Sequence, residues 1–235
     1  MEKLFVLGVI PARGGSKGIK NKNIKHLNGK PLINYSIDAA KNADSLDDFI
    51  VSTDSDEIAA ISKIAGASVP FKRPSELATD TALAMDTIKH AVLKYEEITN
   101  INVDIVVMLQ PTSPLRTPEH INQAISNFKR SDCDSCMSVV NTETSHPLKM
   151  KRIVGNELVD FIETGLENPP RQSLPNIHIV NGALYIVKKD ILIKNRSFKG
   201  QKCLPFEMRK LDSVNIDDEL DFLLAEQILI KMKGK

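Results

Sequence analysis

The sequence predicts an α/β fold, a mostly parallel sheet flanked by helices, and three observations carry that prediction. The run Leu4 to Ile10 is apolar throughout and rich in branched side chains, as a strand buried on both faces must be. Further apolar runs follow it at intervals, separated by stretches of helical periodicity, which is the rhythm of repeated βαβ units. Glycines and cations crowd the segment directly after the first run, on the edge where open α/β sheets take ligands.

Taken in order, the first strand leads to a helix near Ile33 to Asn42, a strand at Phe49 to Ser52, a helix at Glu57 to Ile64 and a short strand at Val69 to Phe71. A helix around Thr87 to Tyr95, a buried strand at Ile105 to Leu109, a helix from Glu119 to Lys129 opened by Pro118, and a strand at Ser135 to Val140 continue the alternation. After Asn141 the rhythm breaks. Met150 to Val154 and Glu157 to Ile162 flank Gly155-Asn156, the pattern of a β-hairpin, and a polar, proline-bearing stretch runs on to Pro175. Residues 141 to 177 therefore read as an arm inserted into one domain spanning 1 to 235. The pattern resumes with a strand at Gly182 to Val187, an edge segment at Cys203 to Met208 and a helix from Asp218 to Lys233. No internal repeat or low-complexity tract interrupts it.

A chain of 235 residues can bury roughly 70 to 75 per cent of its unfolded surface, so it needs no disulfide or metal staple. The three cysteines, one pair of them spaced Cys133-Asp-Ser-Cys136, form neither a disulfide framework nor a complete metal set. With 31 basic against 30 acidic residues, net charge gives no pull toward nucleic acid. No apolar run is long enough to span a bilayer and no signal peptide opens the chain, so a cytoplasmic protein without a membrane partner is expected.

The segment Pro11 to Asn23 reads PARGGSKGIKNKN. Gly14, Gly15 and Gly18 let the backbone approach phosphate oxygens closely, and Arg13, Lys17, Lys20 and Lys22 supply positive charge, the composition of a triphosphate cradle. It is not a Walker loop, which needs Gly-Lys followed by Ser or Thr, because Lys17 stands between Ser16 and Gly18. The dinucleotide fingerprint is missing as well.

With that loop stand seven further blocks in order: VSTDSDEIA at 51 to 59, RPSELATDTA at 73 to 82, LQPTSPLRT at 109 to 117, HPLK at 146 to 149, PPRQSLP at 169 to 175, NGALYI at 181 to 186 and NIDDELD at 215 to 221. Through these eight blocks the chain resembles the acylneuraminate cytidylyltransferases, the CMP-sialic acid synthetases, over nearly its full length. The resemblance implies a Rossmann-like nucleotidyltransferase that joins CTP to N-acetylneuraminic acid or a close nonulosonic acid and releases pyrophosphate. It also implies a homodimer built through the 141 to 177 arm.

Carried over by position, the resemblance makes Arg13, Lys17 and Lys22 catalytic, facing the charge that grows on the leaving pyrophosphate. Asn23 and Arg73 become CTP contacts, Arg73 at the acceptor edge of cytosine, and Gln110, Lys149, Arg171 and Tyr185 surround the acceptor sugar. His146, ahead of Pro147, reads as a structural histidine. Magnesium falls to Asp217 together with Asn215, the latter standing where relatives carry a first aspartate. A second departure is Leu83-Ala84, where the family often has serines. Synthetases for legionaminic, pseudaminic or 3-deoxy-octulosonic acid, and a non-catalytic nucleotide-binding homologue, are the alternative readings.

Overall fold

The computed structural model describes residues 3–16, 18–142, 145–163 and 170–233, with the backbone alone for residues 171 and 233. Among these, six strands form one sheet in the order β10-β6-β9-β5-β1-β4. The central strand β1 (Val6–Pro11) pairs in parallel with β4 (Asp48–Ser52) on one side and β5 (Ile105–Met108) on the other. Val6, Leu7, Val9 and Ile10 are all fully buried, which explains why the run shows no polar alternation. At the far edge β6 (Ser135–Asn141) pairs in parallel with β10 (Cys203–Glu207). Between β5 and β6 lies β9 (His178–Lys188), antiparallel to both.

Helices cover both faces. One core gathers Ile33 and Ile37 of α1 (Leu32–Lys41), Ile58 of α2 (Asp56–Ile64), and Ile121, Ile125 and Phe128 of α4 (Pro118–Arg130). The other holds Ile88, Val92 and Tyr95 of α3 (Ala84–Thr99) with Leu192 of α5 (Lys189–Asn195). The helix starts follow their caps: Ser55 accepts from the Ile58 N–H, and Thr117 with His120 forms a reciprocal capping box behind Pro118. A third, smaller cluster joins Ile19, Leu27, Leu32, Ile216, Phe222 and Ala225. It seats α6 (Glu219–Lys233) against a two-residue hairpin, β2 (His26–Leu27) with β3 (Lys30–Pro31). That hairpin turns through Asn28 and Gly29, both at positive φ, the signature of a type I′ turn.

Three features differ from the sequence-based expectation. The segment around Val69 to Phe71 makes no regular strand, only isolated bridges from Ser68 to Ile50 and from Lys72 to Thr53. Pro70 lies between them and has no N–H to give a ladder. Helix α5 was not expected, since its seven residues are too few to display a period. The strand expected at Gly182 to Val187 begins earlier, at His178, and carries an irregularity: Met137 pairs with Tyr185 whereas Val139 pairs with Val180, so residues 181–184 bulge out of register.

The hairpin β7 (Lys151–Val154) with β8 (Glu157–Asp160) forms as expected around Gly155 at φ 62°. It leaves Ile153, Leu158 and Phe161 more than half exposed. An isolated two-stranded hairpin is marginal in water, and this one presents exposed apolar surface.

Leu83 is the N-cap of α3: its extended backbone suits that position, but its side chain accepts nothing. Leu83→Ser should supply that acceptor and raise stability by about 1 kcal/mol, seen as a rise in Tm of about 2–4 °C. Thermal unfolding of the two proteins checks it, and an unchanged Tm would mean the first-turn N–H groups are already satisfied.

Candidate active site

The carboxyl ends of β1 and β5 open onto one cavity of about 460 Å³. From β1 the chain crosses to β4 on one side and later to β5 on the other, so the cavity lies at a topological switch point, where doubly wound sheets bind ligands. Of the residues singled out in the sequence, Arg13, Lys22, Asn23, Arg73, Gln110 and Asp217 all line it. They come from four separate stretches of chain, and the hydrophobic cluster of Ile19 with Ile216 clamps two of those stretches together. Gly18 touches the same seam: a Cβ there would lie 2.5 Å from the Asp217 carbonyl oxygen, so only glycine permits this approach.

Among the described residues, each cation lining the cavity, Arg13, Lys22 and Arg73, is held by an oxygen of the protein. Arg13 Nη2 lies 2.9 Å from Asp80 Oδ1. Lys22 Nζ donates to the Ile216 carbonyl at 2.7 Å and stands 3.7 Å from Asp217 Oδ1. Arg73 is buried, and its Nη2 donates to Asp54 Oδ1 at 3.1 Å. The same Asp54 oxygen accepts the Gly14 N–H at 3.1 Å, so one carboxylate fixes both the glycine turn and the arginine. Burial lowers the Arg73 pKa, and the bond to Asp54 opposes that shift. Arg73 Nε is buried with no partner among the described residues. Asn23 donates its Nδ2 to the Arg13 carbonyl at 2.9 Å and so braces the cation loop from beneath.

Gln110 closes the opposite wall. Gly182, in the β9 bulge at φ 79°, lies so near that a Cβ there would come within 2.8 Å of Gln110 Oε1 and 3.3 Å of Asn215 Oδ1. Asn215 donates Nδ2 to Asp217 Oδ2 at 3.0 Å while its Oδ1 is buried without a partner among the described residues. Asp217 thus offers the cavity an exposed carboxylate, and one such group plus substrate oxygens fits a magnesium ion. Asn215 turns a nitrogen toward that carboxylate, so it orients Asp217 and presents no oxygen beside it. No cluster of three His, Cys, Asp or Glu side chains with metal spacing occurs among the described residues.

The remaining candidates are placed elsewhere. Tyr185 does not line the cavity: its ring packs against Phe198, centroids 5.5 Å apart, and burial raises its pKa. Lys149 is exposed on a 3-10 turn at the base of the arm. His146 beside it accepts the Leu148 N–H at Nδ1, and its Nε2 lies 3.2 Å from the Pro175 carbonyl, a structural tie between the two ends of the arm. Lys17 and the side chain of Arg171 lie outside the described residues. Sequence reasoning missed Asp54, Asp80, Arg116 and Gly182, which lie within the motif blocks. The signal was there in the blocks, but their partners are distant in sequence.

A family model described as cytidylyltransferase matches residues 7–196. The chain is 35% identical over 221 residues to an N-acylneuraminate cytidylyltransferase of Escherichia coli O18:K1:H7, covering 94% of this chain and 51% of the relative, about half its length. It is 34% identical over 236 residues to a CMP-N,N'-diacetyllegionaminic acid synthase of Legionella pneumophila, covering 95% and 96%. Among solved structures, a CMP:2-keto-3-deoxy-manno-octonic acid synthetase complexed with CTP superposes with a TM-score of 0.72 at 15% identity, covering 97% of this chain and 99% of that one, which supports the fold.

Asp54→Asn should cost about 2 kcal/mol, because it leaves the buried Arg73 without its counter-charge. The double variant with Arg73→Met should recover at least half of that loss. Urea unfolding of the three proteins tests the pair, and an Asp54→Asn protein as stable as the parent would show that the charge is compensated elsewhere.

Proposed function

The chain belongs to the cytidylyltransferase family, and from that premise we propose that it joins CTP to a nonulosonic acid, N-acetylneuraminic acid or a close relative, with magnesium, as a homodimer. The observation that carries this reading is the convergence of Arg13, Lys22 and Arg73 with Gln110 and Asp217 on one cavity. The sugar's anomeric oxygen bonds to the α-phosphorus as the bond from that phosphorus to the bridging oxygen breaks, the hydroxyl proton is released and pyrophosphate departs. Arg13 and Lys22 face the triphosphate, and Lys17 belongs with them by its place in the loop. Negative charge grows on the leaving group, so these cations lower the barrier more than they tighten substrate binding. Binding exchanges Asp80 and the Ile216 carbonyl for phosphate oxygens. Arg73, which lines the cavity, serves the acceptor edge of cytosine, and Asn23 holds the loop against the nucleotide.

Gln110 binds the sugar, and Lys149 and Arg171 approach its carboxylate once the arm has docked on the second subunit. Magnesium, held by Asp217 and by phosphate oxygens, would offset the charge of the triphosphate. A second reading, legionaminic acid as the acceptor, is favoured by the match to the Legionella synthase over nearly its whole length. The non-polar Leu83-Ala84 turn beside the cavity also keeps it open.

Pyrophosphate release should appear with CTP, magnesium and a nonulosonic acid, and a parallel assay of N-acetylneuraminic and N,N'-diacetyllegionaminic acids separates the two readings. Purified protein inactive with every nonulosonic acid refutes both. Arg13→Ala should lower the rate about a hundredfold or more, and a loss under about threefold would remove the loop from catalysis. Asn215→Asp places a second carboxylate beside Asp217 and should lower the magnesium concentration needed for half-maximal rate. An unchanged midpoint in that titration would leave Asp217 as the whole protein contribution. Deleting Met150 to Ile162 should give monomers by light scattering, and a deletion variant that stays dimeric disproves the arm's role.

A further inference from the structure

Arg116 is 2% exposed, and the described residues provide no ion pair for it. Burial alone pushes its pKa down to about 9, which leaves it charged at neutral pH. An uncompensated buried cation costs several kcal/mol, and an apolar side chain of similar size would make a more stable core. Its presence at this place therefore calls for a role beyond packing. The guanidinium joins three elements: Nη2 donates to Ser36 Oγ of α1 at 2.5 Å, while Nη1 donates to the Gln110 carbonyl at the end of β5 at 3.1 Å and to the Ala183 carbonyl of the β9 bulge at 2.8 Å. The Gln110 carbonyl also accepts from Ser36 Oγ and from the Ser113 N–H, both at 3.3 Å. Three donors on one carbonyl fix the Gln110 backbone, and Gly182 leaves just enough space for its side-chain oxygen. Gln110 is held from both ends by groups that do not line the cavity themselves.

We infer that Arg116 is a positioning residue for the acceptor sugar, acting through Gln110, with Ser36 and Gly182 completing the clamp. The inference rests on the reading of Gln110 as the sugar-binding amide. Lysine cannot replace it, because one ammonium cannot span acceptors on three elements in the fixed fork that a guanidinium provides. Loss of a charge-assisted hydrogen bond of this kind typically changes an equilibrium constant by about tenfold or more.

The test is a double-mutant cycle on the whole protein, reading KM for sugar and for CTP together with Tm. Arg116→Lys should raise KM for the sugar about tenfold and leave KM for CTP within about twofold. Ser36→Ala, which keeps the cation and removes one anchor, should do the same more weakly and guards against a failure of Arg116→Lys to fold. In a Gln110→Ala background neither change should raise the sugar KM further. Additive effects in that background, or a lowered Tm with both KM values unchanged, would reduce Arg116 to a structural residue and overturn the inference. A parent protein that turns over no nonulosonic acid defeats the functional reading itself, and this inference with it; a parent that does, with an unaltered sugar KM in Ser36→Ala and Arg116→Lys, defeats the inference alone.

Discussion

The burial of β1 on both faces is the constraint from which the rest of the molecule follows. A strand with Val6, Leu7, Val9 and Ile10 fully out of water must be central, covered by helices above and below and paired on both edges. Parallel pairing with both β4 and β5 brings the three carboxyl ends to one edge of the sheet. The polar residues that follow those ends, Arg13, Asp54 and Gln110, are therefore neighbours although far apart in the chain. The site is a consequence of hydrophobic packing before it is an arrangement of charges.

The charges bring a second constraint. Three cations in a partly buried cavity repel one another and lose hydration, so a ligand-free protein must satisfy them internally. Asp80, Asp54 and the Ile216 carbonyl with Asp217 do so, one for each cation. These contacts differ in depth. Arg73 and Asp54 form a largely enclosed pair that shapes the glycine turn, whereas the Arg13–Asp80 pair is a third or more exposed on both sides. An exposed pair contributes little to stability and can be exchanged for phosphate oxygens at small cost. A cavity built this way combines one fixed cation, Arg73, with a more replaceable contact at Arg13.

Much of the fold was legible in the sequence because strong hydrophobic periods and helix caps act locally. The strands at 49–52 and 105–109, the helix opened by Pro118 and the hairpin around Gly155-Asn156 all formed close to where they were expected. The short strand at 69–71 failed because a single proline removes a donor that a propensity average does not notice. Helix α5 and the early start of β9 escaped because seven residues, or a strand whose first three residues are solvent-facing, give too little pattern. For the site, the glycine and cation loop was readable from composition, while Arg73, Gln110 and Asp217 came from the resemblance of ordered blocks. The carboxylates that hold the cations, and Arg116, stayed hidden because their meaning lies in contacts across 19 to 80 residues of chain.

The bulge in β9 shows how these levels meet. A regular antiparallel strand between β5 and β6 would have kept a full ladder and presented alternating side chains to the two cores. Instead residues 181–184 leave the register, and the polar groups set free are taken up at once: Ser138 Oγ donates to Asn181 Oδ1 and accepts the Leu184 N–H at 2.7 Å, and Asn181 Nδ2 donates to Ser213 Oγ at 2.9 Å. That replacement of backbone pairs by side-chain pairs gives up ladder regularity for position. It brings the Ala183 carbonyl to Arg116, and Gly182 against both Gln110 and Asn215. The wall assigned to the acceptor sugar and the segment assigned to the metal are thereby braced on the same irregular residues. A change in the bulge must reach both at once, because the positive-φ Gly182 stands in β9 directly beside the carbonyl that the buried Arg116 holds from outside the strand.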